Sequence, residues 1–348
     1  MAPVMGAVKR IGVLTGGGDC PGLNAAIRAI TRSATERHGL EVLGFRNGWR
    51  GVLEGDAEPL TRSRIAGTLP RGGTILGSSG EDPTRDGGIE RVRATLADLA
   101  VDGIIAIGGE GTLGAAARLS AEGVPVIGVP KTIDNDLAGT DRCIGFATAV
   151  QIATDAIDRL HTTAESHNRV MLIEVMGRSA GWIATDAGIA GGAHFVLVPE
   201  QPFVVADLAT AIRRRHDAGR SYSIVVVAEG AQPVPGTFVA PTPRADERGF
   251  PIFGGIANAL APVLEEETGY ATRVTVLGHL QRGGSPVASD RILATRFGLA
   301  AIDLVLAGRW GSMVGLRGGD VVEVDLASGS GERPVPPERF AIAQAFPS

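Results

Sequence analysis

Residues 102–112 read DGIIAIGGEGT, and the following LGAA carries the stretch into a helical segment. A short, wholly apolar run stops at two glycines, and a helix-period pattern follows. A strand that is apolar at every position suits a sheet covered on both faces. A glycine turn from such a strand into a helix is the join of a βα unit. The same order recurs along the chain. RIGVLTGGG (10–18) runs into PGLNAAIRAITRSATERHG (21–39), and VPVIGVPK (124–131), RVMLIEVMG (169–177), HFVLVPE (194–200), SIVVVAEG (223–230) and TRVTVLGHLQRGG (272–284) read as further strands. IERVRATLADLA (89–100) and TAVQIATDAIDRLHTTAE (148–165) read as helices. Alternating strands and helices predict an α/β protein with largely parallel sheets. In such sheets ligands bind beyond the carboxyl ends of the strands, so the polar residues just past each apolar run are the candidates for function.

The chain has 348 residues with 50 glycines and 44% hydrophobic residues, enough for one large domain or two moderate ones packed through small side chains. A net charge of −5 offers no global basic field for nucleic acid, so local arginine clusters are read against smaller anions. Cys20 and Cys143 lie far apart, and neither has metal-ligand spacing around it, so a reduced, cytoplasmic setting is expected. Glycines interrupt residues 1–18 too early for a secretory apolar region, and no apolar run is long enough to span a bilayer. The Pro-rich, charged segment 232–251 reads as an exposed loop, and 328–348 as a linker with a docking segment or a frayed end.

Two glycine loops carry the first chemistry. Gly16, Gly17 and Gly18 follow the first strand, where glycine permits positive φ and lets backbone N–H groups approach an anion. The loop matches neither a dinucleotide fingerprint nor a Walker A motif, and a tight βα turn would look the same. In the second loop, Gly108, Gly109, Gly111 and Thr112 frame Glu110. Mg²⁺ takes one or two carboxylates together with waters and substrate phosphates, which suits a carboxylate beside a phosphate loop. An acidic residue in a first helical turn also suits the helix dipole without any metal.

GVPKTIDNDL (128–137) places Lys131, Asp134, Asn135 and Asp136 where an apolar strand stops. Phosphoryl transfer to an alcohol is mostly positioning and charge neutralisation, with a carboxylate accepting the hydroxyl proton. Asp134 and Asp136 face the same side if the chain is extended, and not if it turns. An Asx-turn accounts for Asn135, though not for the lysine and both aspartates together. Arg169 precedes a strand and Arg178 follows it; Arg273 precedes another, with His279 and Arg282 after it. Guanidinium forks suit phosphate. Because the two pairs sit at opposite strand ends, a symmetric oligomer is the arrangement that brings all four to one ligand. Glu229, ending a strand, is a weaker candidate for binding sugar hydroxyls.

GVLTGGGDCPGLNAAIR, GGEGT, PKTIDNDL, EVMGRSAGW and LGHLQRGGSP occur in this order over roughly residues 9–310, and together they resemble the 6-phosphofructokinase family, in its bacterial type with mixed ATP and pyrophosphate donors. The resemblance implies two Rossmann-like α/β domains with the active site in the cleft between them: 1–145 plus 281–327 for the phosphoryl donor, 146–280 for the sugar phosphate, and 328–348 as a C-terminal tail. It implies Mg²⁺-assisted phosphoryl transfer to the 1-hydroxyl of fructose 6-phosphate, a glycolytic step. Gly17, Gly109, Gly111 and Thr112 would hold the donor, and Glu110, where the family usually has Asp, would take the metal. Asp134 would be the base, with Thr132 and Ile133 beside it. Met176, Gly177, Arg178, Glu229, His279, Leu280, Gln281 and Arg282 would bind the sugar phosphate. Arg169 and Arg273 would arrive from an adjacent subunit of a homotetramer or dimer.

Two features set the donor expectation. Pyrophosphate users typically carry Asp after the metal carboxylate, where this chain has the open Gly111; they also carry Lys before TIDND, as this chain does at Lys131. Steric and charge exclusion is harder to evade than an added lysine, so ATP is expected, with pyrophosphate as the alternative donor and sedoheptulose 7-phosphate as a conceivable acceptor. Gly80 stands where the family usually has an arginine that contacts the transferring phosphate. Either Arg85 substitutes for it or the contact is missing, and a missing cation slows the reaction by orders of magnitude; Gly80 is the only support for the alternative of a non-catalytic sugar-phosphate binder, and the intact Asp134 argues against that alternative.

Overall fold

The computed structural model describes residues 8–242, 244, 245 and 251–345. The opening of the N-terminal stretch read above (1–7), residues 243 and 246–250 of the expected loop, and 346–348 of the tail lie outside the described residues. The chain forms two compact units: residues 1–133, 137–148 and 282–332 make one, and 134–136, 149–281 and 333–348 the other.

The first unit opens with β1 (Arg10–Thr15), α1 (Leu23–Arg32), β2 (Glu41–Phe45), α2 (Trp49–Glu54), β3 (Ala57–Pro59), α3 (Gly88–Asp98), β4 (Gly103–Gly108), α4 (Glu110–Ala121) and β5 (Val126–Pro130). All residues of β4 and β5 are buried, as their unbroken apolar runs require. The long α5 (Phe146–His167) then leads into the second unit, which contains β6 (Val170–Val175), α6 (Trp182–Ala190), β7 (Phe195–Leu197), α7 (Val205–Asp217), β8 (Ser223–Ala228), the short β9 (Arg244–Ala245) and β10 (Pro251–Ile252), α8 (Ile256–Thr268) and β11 (Thr272–Val276). The chain returns to the first unit as α9 (Ala288–Leu306), β12 (Ser312–Arg317), β13 (Asp320–Asp325) and α10 (Leu326–Gly329), and ends in the second with α11 (Pro337–Ala343).

The first unit is built on a seven-stranded sheet in the order β13-β12-β5-β4-β1-β2-β3. Its inner pairs are parallel, and antiparallel β3 and β13 close the two edges. The second unit holds a four-stranded, all-parallel sheet in the order β11-β6-β8-β7. The fold is therefore mixed α/β with mostly parallel sheets. Two regular features escaped sequence reasoning: the β12–β13 hairpin and the neighbouring strands β2 and β3. β2 and β13 carry exposed or half-buried residues within the strand, and β3 is only three residues long.

Strand glycines admit large neighbours. A Cβ on Gly12 would lie 2.5 Å from the Phe45 ring, and one on Gly103 would lie 2.5 Å from Trp310. Phe45 and Trp49 anchor the larger core of the first unit, and Val170, Leu172, Val225 and Val227 line that of the second. No helix among the described residues is long and apolar enough to cross a membrane.

Candidate active site

In the first unit, β1, β4 and β5 are parallel neighbours, so their carboxyl ends and the loops beyond them share one edge. The Gly16 N–H donates to Ile107 O (2.9 Å) and the Lys131 N–H to Gly108 O (2.9 Å), which extends the ladder by one step at each strand. Thr112, buried in the first turn of α4, packs over both glycine loops. A Cβ on Gly16 would lie 2.5 Å from its Oγ1, and one on Gly108 would lie 2.3 Å from its Cβ. These two glycines are therefore required by Thr112, a reason distinct from anion binding.

Gly17 is left-handed (φ 75°). Its N–H donates to Ser79 O (3.0 Å) and its carbonyl accepts from Ser78 Oγ, so the 78–79 segment braces the loop from outside. Lys131 braces it from inside. Its side chain is 2% exposed, and its ammonium donates to Gly16 O (3.0 Å) and Gly18 O. Gly109 caps α4, whose first residue is Glu110, half-buried, followed by Gly111. A Cβ on Gly111 would meet nothing within 4 Å, so open space lies beside the N-terminus of this helix. Backbone N–H groups and the helix dipole make such a terminus receptive to phosphate.

Two sequence expectations look different here. Arg282 belongs to the first unit and lies against Gly18, donating to Asp19 O (3.2 Å), whereas His279, Leu280 and Gln281 belong to the second unit. Arg85, weighed as a substitute for the missing arginine, is an exposed side chain paired with Asp82 (3.4 Å), which also takes Arg118 (3.0 Å).

In the second unit, the loop after β6 carries Met176, Gly177 and Arg178. Gly177 has φ 151° and Arg178 φ 54°, a left-handed conformation rarely adopted by a residue with a long side chain. Three side-chain contacts hold this loop. The Met176 N–H donates to Gln281 Oε1 (2.8 Å); the N–H groups of Gly177 (3.3 Å) and Arg178 (2.9 Å) both donate to Glu229 Oε1. Gly230 keeps the neighbouring chain close, since a Cβ there would lie 2.0 Å from Arg178 O. Burial, more than any charge, raises the pKa of the Glu229 carboxyl; the nearby Asp134 and Glu174 carboxylates add to the rise, and the two N–H bonds oppose it.

The turn bearing Asp134 is packed with this unit. Asn135 is left-handed (φ 55°), so the chain is not extended, and the same-side inference for Asp134 and Asp136 does not apply. Both aspartates are buried, at 6% and 7% exposure. Thr132 and Ile133, just before them, are buried as well. His279 is exposed and Leu280 69% exposed at the carboxyl end of β11. Arg169 and Arg273 lie at the opposite end of the same parallel sheet, where Thr272 pairs with Val170. Strand rise puts about 20 Å between the two ends.

Sequence reasoning missed two buried carboxylates. Glu174, 2% exposed on β6, accepts from Gly255 N (2.8 Å) and Ala257 N (2.9 Å) and so caps α8. Asp290 accepts from Gly145 N (3.1 Å), Thr148 N (2.8 Å) and Thr148 Oγ1 (2.6 Å) at the start of α5, and burial raises its pKa. A lone Glu inside an apolar strand was a readable signal for the first; nothing local marks the second.

Among the described residues no group of three or more His, Cys, Asp or Glu side chains could hold a metal ion. A Mg²⁺ ion carried by substrate phosphates needs fewer, and the single half-buried carboxylate of Glu110 beside a phosphate-receptive helix end fits that demand.

Both glycine loops thus lie past the carboxyl ends of neighbouring parallel strands, where α/β proteins bind their ligands. The family model described as phosphofructokinase matches residues 10–305. The pyrophosphate–fructose 6-phosphate 1-phosphotransferase of Amycolatopsis methanolica is 56% identical over 97% of this chain and 99% of its own length. ATP-dependent 6-phosphofructokinase 3 of Streptomyces coelicolor is 53% identical over 96% and 99%. Among solved structures, the pyrophosphate-dependent phosphofructokinase of Marinobacter aquaeolei superposes with a TM-score of 0.80 at 26% identity, over 94% of this chain and 86% of that one. The chain belongs to the phosphofructokinase family and is an enzyme, a 6-phosphofructokinase.

Proposed function

We propose that this enzyme transfers the terminal phosphoryl group of ATP to the 1-hydroxyl of fructose 6-phosphate, giving fructose 1,6-bisphosphate. The observation that carries the donor is the open space at Gly111, beside the N-terminus of α4. On this reading an Asp there would project a carboxylate toward the α-phosphate of ATP, and Gly111 leaves that space open. Gly17, Gly109, Gly111 and Thr112 form the donor group, and Glu110 would hold Mg²⁺. When bound, the ion neutralises charge on the transferring phosphoryl group.

Asp134 accepts the proton of the attacking hydroxyl, and Thr132 and Ile133 supply the backbone beside it. Met176, Gly177 and Arg178, held by Glu229 and Gln281, form the acceptor loop, with His279 and Leu280 serving the sugar phosphate. Arg169 and Arg273, at the far end of their sheet, serve a neighbouring subunit in a homotetramer or dimer. The small-molecule substrates, a glycolytic role and a cytoplasmic location follow from this reading.

A second reading, pyrophosphate as donor, is favoured by Lys131 and by the name of the Amycolatopsis relative. Steady-state kinetics with each donor separates the two: turnover with pyrophosphate and none with ATP overturns the first. Asp134→Asn tests the base. A loss of about 10²–10⁴-fold in kcat is expected for a proton-transfer group, and unchanged turnover removes Asp134 from that role.

A further inference from the structure

We propose that the C-terminal segment 333–343 is part of the acceptor machinery, and that Arg333 is a positioning residue which sets the turn carrying Asp134. This rests on the reading of Asp134 as base. The Arg333 N–H donates to Asp136 O (2.6 Å), and its guanidinium donates to Asn135 O (3.0 Å). Two successive carbonyls immediately after Asp134 are thus fixed by one residue nearly two hundred positions later. Asn135 is left-handed, a conformation that needs support from outside the turn. Hydrogen bonds from a charged donor are the stronger kind.

The segment is itself firmly docked. The Arg333 guanidinium lies 4.2 Å from the centroid of the Trp182 ring, and Trp182 Nε1–H donates to Arg333 O (3.0 Å). Arg339 forms a two-pronged pair with Asp186 on α6 (2.8 and 2.7 Å). Val335 and Phe340 are buried. Glu200 Oε1 accepts both the Val335 N–H (2.9 Å) and the Gly181 N–H (3.0 Å). Gly181 and Trp182 lie three and four residues past Arg178, the end of the Met176–Arg178 loop. The segment therefore ties the turn of the base to the loop that bears the sugar-phosphate candidates, and both carry atoms whose placement decides the rate. Displacement of a reacting group by about 1 Å costs on the order of a hundredfold in rate.

The test is a double-mutant cycle on the full chain with Arg333→Ala and Asp134→Asn. R333A is expected to lower kcat about ten- to a hundredfold, with the KM of the donor unchanged and R333K recovering part of the loss. In the D134N background R333A should cost nothing further, because its effect passes through the base. A segment that served only stability would lower the melting temperature and the yield of active enzyme without this dependence on Asp134. If R333A fails to fold, R333M, which keeps the apolar stem and removes the donor to Asn135 O, enters the cycle in its place. The inference is overturned if the folded Arg333 variant keeps wild-type kcat, or if it loses the same factor in both backgrounds. Full turnover by D134N alone would instead overturn the assignment of the base, and the inference with it.

Discussion

The ammonium of Lys131 lies 3.0 Å from the carbonyl oxygen of Gly16, a residue 115 positions earlier, with almost no exposure to water. The lysine that sequence comparison sets among the donor determinants is bonded to the donor loop itself. By drawing the Gly16 and Gly18 carbonyls inward it fixes the peptide planes of the loop, and the amide that follows each carbonyl points the opposite way.

Replacing Lys131 with Met should therefore act on shape before charge. The buried Gly16 carbonyl and the more exposed Gly18 carbonyl lose a charged donor, which costs about 1–3 kcal/mol of stability, read as a fall in the denaturant midpoint. The KM should rise for ATP and for pyrophosphate alike. A variant of wild-type stability that loses pyrophosphate turnover alone would show direct contact with the donor instead.

Gly111→Asp should separate donor choice from stability. The new side chain enters open space, so stability should stay within about 0.5 kcal/mol of the parent. On the proposed donor site the carboxylate would face the ATP phosphates, and kcat/KM for ATP should then fall by about a hundredfold, with pyrophosphate affected less. Equal losses for both donors would show that Gly111 does not border the α-phosphate.

Glu229 supplies a pH test. Burial raises its folded pKa above the unfolded value, so its favourable contribution to folding is full below the usual glutamate range and is lost as pH rises through the raised value. Glu229→Gln removes that loss while its Oε1 still accepts the Gly177 and Arg178 N–H groups. The variant should gain stability over the parent at neutral pH, and the gain should vanish below the ordinary glutamate pKa. Its KM for fructose 6-phosphate should rise through the missing charge. Parallel stability curves of parent and variant across that range would contradict the assignment.

Gly80 directly follows Ser79, whose carbonyl takes the Gly17 N–H, so the position that lacks the family arginine adjoins the brace of the donor loop. It is exposed. Gly80→Arg should raise kcat about tenfold if the added cation meets the transferring phosphate, with the melting temperature unchanged. No gain in kcat would show that the reaction does not depend on a cation from this loop.

The parallel core was legible because its strands are almost wholly apolar: β4, β5, β6 and β8 announce themselves by composition, with Glu174 in β6 and Ser223 in β8 as the exceptions. The glycine loops were legible as loops, yet their reasons were not. Gly16 and Gly108 yield to Thr112, and no local pattern reveals that a threonine four residues past a strand leans back over two loops. Lys131 read as a charge offered to a ligand because a sequence shows its charge and not its partners, which here are backbone carbonyls. Arg333 was invisible for the same reason. Its targets are the main chain of Asn135 and Asp136, and any residue type has a carbonyl there.

The Arg333–Asn135 contact also sets an order of events during synthesis. The turn at residues 134–136 leaves the ribosome 198 residues ahead of the arginine that secures it, an interval of roughly 10–40 s at ordinary elongation rates. A nascent chain can complete both glycine loops and the first five strands within that time, while the turn at 134–136 waits for the contact that Arg333 supplies.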